Sequence, residues 1–142
     1  MRLFYSTASP FVRKVLMLAH ETGIVDQLEI VDTSQTPLTP SDALAEVNPL
    51  GKIPTLVLED GHCLFDSRVI CEYLDGLHDG ERMIPANGLE RMNVLVAQSI
   101  GDGIMDAAVG IRYEQALRPE DKQWQEWTDK QFLKITQALD TL

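Results

Sequence analysis

The order of strand-like and helix-like stretches over residues 1–78 leaves the chain few folds to choose from. Residues 2–6 are aromatic and aliphatic and read as a short strand. Thr7-Ala8-Ser9-Pro10 then turns the chain into a helix, with Ser9 as N-cap and Pro10 as first helical residue. Phe11, Val15, Leu18 and Ala19 recur at helical spacing with Val12 and Leu16 beside them, and Gly23 is placed to end the helix. Leu28 to Val31 reads as a second strand. Residues 32–40 form a polar loop with Pro37 and Pro40, and a short helix spans about Ser41 to Glu46. Asn48-Pro49-Leu50-Gly51 is a turn, Thr55 to Leu58 an apolar strand, Asp60-Gly61 a hairpin signal, and His62 to Phe65 the returning strand. A helix follows from about Ser67 to Leu77, with Val69, Ile70, Tyr73, Leu74 and Leu77 on its buried side. The β-α-β half makes a parallel pair through a crossover and the β-β-α half an antiparallel hairpin. Together they predict a mixed α/β sheet covered by helices.

Residues 79–88 carry two glycines, a proline and several charges and read as a linker. From Leu89 the pattern is helical, with Met92, Val96, Ile100, Ile104, Ala107 and Ile111 at helical spacing. Arg118-Pro119-Glu120 breaks it, and a second, less amphipathic helix runs from about Pro119 to Leu142. The expected organisation is therefore an α/β domain over 1–78, a linker over 79–88 and an all-α part over 89–142.

Charge narrows the function. With 22 acidic and 12 basic residues the net charge is -10, which argues against nucleic acid as a partner, because that binding displaces counterions with basic patches. An anionic ligand needs a local, donor-rich pocket. No apolar run is expected to reach the roughly 20 residues of a membrane span, and no signal peptide is expected at the N-terminus. Cys63 and Cys71 make neither a CxxC pair nor a disulfide framework, which fits a reducing, cytoplasmic setting. His20, His62 and His78 are scattered without metal-ligand spacing, so no metal is expected.

Three local features gather chemistry at strand ends and helix starts, and they occur in order on the same predicted end of the sheet. At Ser9-Pro10-Phe11, a hydroxyl meets the free N–H groups and positive dipole end of a helix, which favour an anion and would lower the pKa of a thiol held there. An ordinary N-cap uses the same residues. At Lys52-Ile53-Pro54-Thr55, a cis Ile53–Pro54 bond would turn the Ile53 backbone outward to pair with a peptide-like ligand as a strand does, whereas a trans bond is a plain strand start. At Asp66-Ser67, an acid, a hydroxyl and free N–H groups can hold an α-amino acid group, or simply cap a helix.

The segments Ser9-Pro10-Phe11-Val12-Arg13-Lys14-Val15, Asn48-Pro49-Leu50-Gly51-Lys52-Ile53-Pro54 and Phe65-Asp66-Ser67-Arg68-Val69-Ile70 together resemble cytosolic glutathione transferases, most nearly bacterial members with serine before Pro-Phe. The resemblance implies a thioredoxin-like domain with a mixed four-stranded sheet, followed by an all-helical one. It implies that Ser9 hydrogen-bonds the glutathione sulfur and stabilises the thiolate. It implies backbone pairing of Ile53, next to a cis Pro54, with the cysteinyl part of glutathione, and capture of the γ-glutamyl end by Asp66 and Ser67. Lys52 is a candidate for the glycine carboxylate, Ser6 and Thr7 are rival thiol donors, and Asp102 is a candidate for the glutathione amine of a partner subunit, weighed against a helix-surface carboxylate. The family also suggests a homodimer, a hydrophobic electrophile as second substrate and a role in detoxification.

Two departures bear on this expectation. Serine stands where thiol-transferase branches carry cysteine. Serine forms no mixed disulfide, so conjugation by an activated thiolate is expected rather than disulfide exchange. The helical part shows two predicted helices where the family has several more, which makes 89–142 a partial all-α domain with a thin core. The alternatives are a non-catalytic glutathione-binding or regulatory module and, with position 9 lacking cysteine, a glutathione-dependent thiol-disulfide reductase.

Overall fold

A computed structural model describes every residue of the chain except Ser34 and divides it into two compact units, Met1–Ile84 and Pro85–Leu142. The first unit holds strands β1 (Arg2–Tyr5), β2 (Glu29–Asp32), β3 (Thr55–Val57) and β4 (Cys63–Leu64), and helices α1 (Pro10–Glu21), α2 (Asp42–Ala45) and α3 (Ser67–Leu74). A 3-10 turn, Val25–Gln27, leads into β2. The sheet order is β2-β1-β3-β4, with β1 parallel to β2 and antiparallel to β3, and β3 antiparallel to β4. This is the mixed four-stranded sheet that the order of elements calls for.

The period-2 alternation of the strands sorts side chains between two cores. Leu3 and Leu56, paired in register, pack on one face with Val15 and Ala19 of α1 and Ile70, Cys71 and Leu74 of α3. Their neighbours Phe4 and Val57 point the other way and meet Leu44 of α2, with Val31, Val47 and Ile53 around them. Each fully buried leucine or isoleucine contributes about 1.5–3 kcal/mol. β3 is buried on both sides, which is why it reads as an unbroken apolar run rather than an alternation.

Helix α1 stops at Gly23. This glycine has φ +72, its N–H donates to the His20 carbonyl at 3.1 Å, and the Ile24 N–H donates to the Ala19 carbonyl at 2.9 Å. The pair of bonds is a Schellman cap, and Ile24 folds back onto Ala19 in the core. Gly23→Ala meets no atom within 4 Å but forces a Cβ into left-handed backbone. It is expected to cost about 1 kcal/mol, read as a lower thermal midpoint.

Helix α3 buries Ser67, Ile70, Cys71 and Leu74, whereas Val69 and Leu77, expected inside, are 48% and 41% exposed. The helix ends at Leu74 rather than Leu77 because Asp75 is fully buried. Its carboxylate accepts the backbone N–H groups of Met83 and Ile84, each at 2.9 Å, and draws the returning chain across the helix end. Ile84 is thereby buried with the first unit.

The second unit pairs α4 (Gly88–Ala116) with α5 (Gln125–Leu139). Trp127 lies so close to α4 that a Cβ on Gly110 would stand 3.1 Å from its ring, a close approach that glycine permits. The second helix does not begin at Pro119 as expected. Glu120–Lys122 forms a 3-10 turn, Gln123 is extended, and α5 starts at Gln125. Glu114 sets that start. Its carboxylate accepts the Trp124 N–H at 2.8 Å and the Arg118 Nε–H at 2.7 Å, and the Trp124 bond foremost holds its pKa below the usual value, with burial opposing and Arg118 reinforcing. Asp102 is 7% exposed, a buried carboxylate rather than a surface one. Contrary to the expectation of no span-like run, α4 is long and apolar enough to cross a membrane by length and composition. Asp102 and Asp106 near its middle oppose that role, since a carboxylate at the bilayer centre costs about 2.5–3.5 kcal/mol.

Candidate functional site

The strand register fixes which loops meet at one end of the sheet. Phe4 pairs with Thr55 and Leu56 with Leu64. The C-terminal end of β1, the N-terminal end of β3 and the C-terminal end of β4 therefore lie together. Ser9 follows the first, Ile53-Pro54 precedes the second and Asp66-Ser67 follows the third, so the three sequence features share one sheet end.

Ser9 is the N-cap of α1, with extended backbone and Pro10 at the first helical position. Its Oγ accepts the Val12 N–H at 3.3 Å. A hydroxyl has one donor and two acceptor sites, so this cap leaves the Ser9 proton available to a ligand. Of the rival donors, Ser6 accepts the Ala8 N–H through Oγ at 3.4 Å, and Thr7 is exposed.

The Ile53–Pro54 peptide bond is cis. Pro54 is buried, Ile53 half-buried and the Lys52 side chain exposed. Asp66 caps α3. Its Oδ1 accepts the Arg68 N–H at 2.9 Å and its Oδ2 faces the Arg68 guanidinium at 3.3 Å. Burial pushes the Asp66 pKa up, but the Arg68 N–H, the Arg68 guanidinium and the Lys14 ammonium together outweigh it and hold the carboxyl below its usual value. The group is thus anionic at neutral pH, at the N-terminus of a helix and flanked by cations, a setting fit for an ammonium on one side and a carboxylate on the other. Ser67 is 2% exposed, so its role toward a ligand runs through its place in the first turn of α3.

Asp102 belongs to the second unit. Cys71 is buried in the first core, and the Cys63 thiol donates to the Gly61 carbonyl at 3.5 Å within the hairpin. Among the described residues, no group of three His, Cys, Asp or Glu is arranged to hold a metal. A surface cavity of about 390 Å³ is lined by Glu21, Thr22, His78, Asp79, Glu81 and Met83, at the opposite end of α1 from Ser9. Its acidic rim suits no anionic peptide.

Two buried polar side chains escape a reading of the sequence. Asn48 and Asp75 are both buried, and both act on backbone groups several residues further on. Asn48 sits before Pro49-Leu50-Gly51, where asparagine is the commonplace residue of a turn, and nothing in the string marks it as interior.

Fold and residue pattern define a thioredoxin-like α/β domain joined to a helical unit. The sequence pattern of the glutathione S-transferase N-terminal domain matches residues 8–77. The chain is 39% identical over 142 residues to the uncharacterized GST-like protein YibF of Escherichia coli K12, covering all of this chain and 68% of that protein. It superposes with a TM-score of 0.96 and 48% identity on the crystal structure of a glutathione transferase family member from Pseudomonas fluorescens Pf-5 with bound glutathione, covering 99% of this chain and 69% of that one. A glutathione S-transferase from Methylobacillus flagellatus with bound glutathione gives a TM-score of 0.86 and 38% identity, over 99% of this chain and 67% of the other. The chain belongs to the glutathione S-transferase family. It spans about two thirds of the length of these relatives.

Proposed function

We propose that this chain binds glutathione across the Ser9, Ile53-Pro54 and Asp66-Ser67 end of its sheet and presents the sulfur as a thiolate for attack on a small hydrophobic electrophile. The observation that carries the reading is the register, which brings three chemically distinct clamps to one sheet end. Asp66 takes the γ-glutamyl ammonium, and Ser67 with the first turn of α3 takes its carboxylate. The Ile53 backbone pairs with the cysteinyl unit as an added strand would. Lys52, exposed and adjacent, reaches the glycine carboxylate. The Ser9 hydroxyl donates to the sulfur, and the dipole of α1 adds to the stabilisation of negative charge there. The thiol proton leaves to solvent. A carbon–sulfur bond then forms with the electrophile as its leaving group departs or its π bond takes up the electron pair, and Ser9 remains uncharged and unmodified.

The glutathione structures of the Pseudomonas and Methylobacillus relatives support the ligand. The buried position of Cys71 and the serine at position 9 count against the disulfide-exchange alternative. The reading includes a cytoplasmic setting and a homodimer, the latter checked by sedimentation. The deciding experiment measures glutathione binding by calorimetry together with turnover of a broad aromatic electrophile. Binding with turnover supports the enzyme, binding without turnover favours the non-catalytic module, and no binding sinks both.

A further inference from the structure

We infer that Asn48 is a positioning residue for the glutathione-binding backbone at Ile53, acting through the carbonyl of Lys52. The inference rests on the glutathione reading above and adds the group that sets its central clamp. Asn48 is 1% exposed, and every polar atom of its side chain is engaged. Its Nδ2 donates to the Lys52 carbonyl and to the Thr55 Oγ1, both at 2.9 Å, and its Oδ1 accepts the Leu50 N–H at 2.9 Å. Thr55, itself fully buried, donates from Oγ1 to the same Lys52 carbonyl at 2.9 Å. Two buried donors thus converge on one carbonyl, that of the residue directly before Ile53.

The anchor is firm at its other end. The Asn48 N–H donates to the Leu44 carbonyl of α2 at 2.9 Å, and Leu44 is a fully buried member of the second core. The Gly51 N–H donates to the Asn48 carbonyl at 2.8 Å, and Gln35 Nε2 donates to the Gly51 carbonyl at 2.9 Å. Gly51 has φ +56, which lets the loop turn back tightly enough for Lys52 to reach Asn48. Within this network the carbonyls of Asn48 and Lys52 are spent on the loop itself and that of Gly51 on Gln35. That of Ile53 is in none of these bonds. Asn48, Leu50, Gly51 and Lys52 are each held by a hydrogen bond up to the residue that meets a peptide ligand, an arrangement that orders the binding backbone before the ligand arrives.

The test is calorimetric titration of the full chain with glutathione, alongside thermal unfolding. Asn48→Ala is expected to weaken glutathione about tenfold, the worth of roughly one net hydrogen bond. Asn48→Asp, which turns a carboxylate oxygen onto the Lys52 carbonyl, is expected to do at least as much. Thr55→Ser keeps the hydroxyl but loses a buried methyl, so it lowers the melting point while leaving affinity within about twofold. Thr55→Val removes the second donor and is expected to weaken binding, which keeps the inference testable if the Asn48 variants fail to fold. Affinity that tracks the loss of stability across the set, with Thr55→Ser as damaged as Thr55→Val, overturns the positioning role. So does unchanged affinity in folded Asn48→Ala. If the unaltered chain binds no glutathione, the underlying reading has failed, and this inference falls with it.

Discussion

Ser9→Ala is expected to lower the rate of glutathione conjugation by about 10²-fold while glutathione affinity changes only a few-fold. The hydroxyl meets the sulfur most strongly when it is negative, so its removal falls on thiolate formation more than on ground-state binding. The remaining clamps, the Ile53 backbone and the Asp66-Ser67 pair, do not depend on position 9. Ser9 is also the N-cap of α1, and the alanine variant loses the bond from the Val12 N–H, a cost of about 1 kcal/mol. Thermal unfolding and circular dichroism separate that loss from the catalytic one. The informative quantity is the pH dependence of thiolate absorbance in the binary complex, which is expected to shift to higher pH in Ser9→Ala. Full activity in the variant transfers the role to Ser6 or Thr7. Ser9→Cys is expected to lose conjugation and, when supplied with oxidised glutathione, to form a mixed disulfide with release of one glutathione thiolate, visible as added mass, because cysteine at a helix N-terminus is itself an activated nucleophile.

Asp75→Ala is expected to be strongly destabilising, at about 2–4 kcal/mol, against a total of roughly 5–15 for a domain of this kind. The carboxylate accepts two backbone N–H groups, and His78 Nε2 stands 3.4 Å from Oδ1. Alanine leaves the Ile84 donor buried without a partner and releases the chain that returns past α3. Asp75→Asn keeps one acceptor but turns an NH2 toward the other N–H, so it restores little. Burial raises the Asp75 pKa, while the N–H groups of Ile84 and Met83 and the His78 ring lower it further, and the net value lies below the ordinary carboxylate. The sign of the pH effect follows. Above about pH 4, the value in the unfolded chain, Asp75 is ionised in both states and its stabilisation is fully present. As pH falls through the lower folded-state value the unfolded chain takes up the proton first, and the contribution disappears. Urea midpoints at pH 7, 5, 4 and 3 are expected to hold level and then drop, with a shallower drop in Asp75→Ala.

The first unit was legible because its signals are local. Ser9-Pro10 starts a helix, Gly23 ends one and Asp60-Gly61 turns a hairpin, each through the backbone preferences of one or two residues. The order of elements, with the rule that a parallel pair needs a crossover, then leaves essentially one sheet. The helical unit is less legible for the same reason. The start of α5 depends on Glu114 reaching ten residues forward to Trp124, and the spacing of apolar residues carries no trace of that bond. Likewise Leu77 looked interior on periodicity, but the helix had already been ended by a carboxylate whose partners lie eight and nine residues away.

The site divides along the same line. Ser9, Ile53-Pro54 and Asp66-Ser67 are short motifs that the chain's letters alone single out as candidates for holding a peptide-like ligand, but those letters leave open whether the Ile53–Pro54 bond is cis, which the structure decides. That they share one end of one sheet is expected from the order of elements, while the register that brings it about, Phe4 against Thr55 and Leu56 against Leu64, depends on how distant side chains pack into two cores. The buried hydrogen bonds of Asn48 and Asp75 are visible only in three dimensions. A buried hydrogen bond is specified by where its partner's backbone ends up, and that position is the outcome of the whole fold rather than a property of either residue.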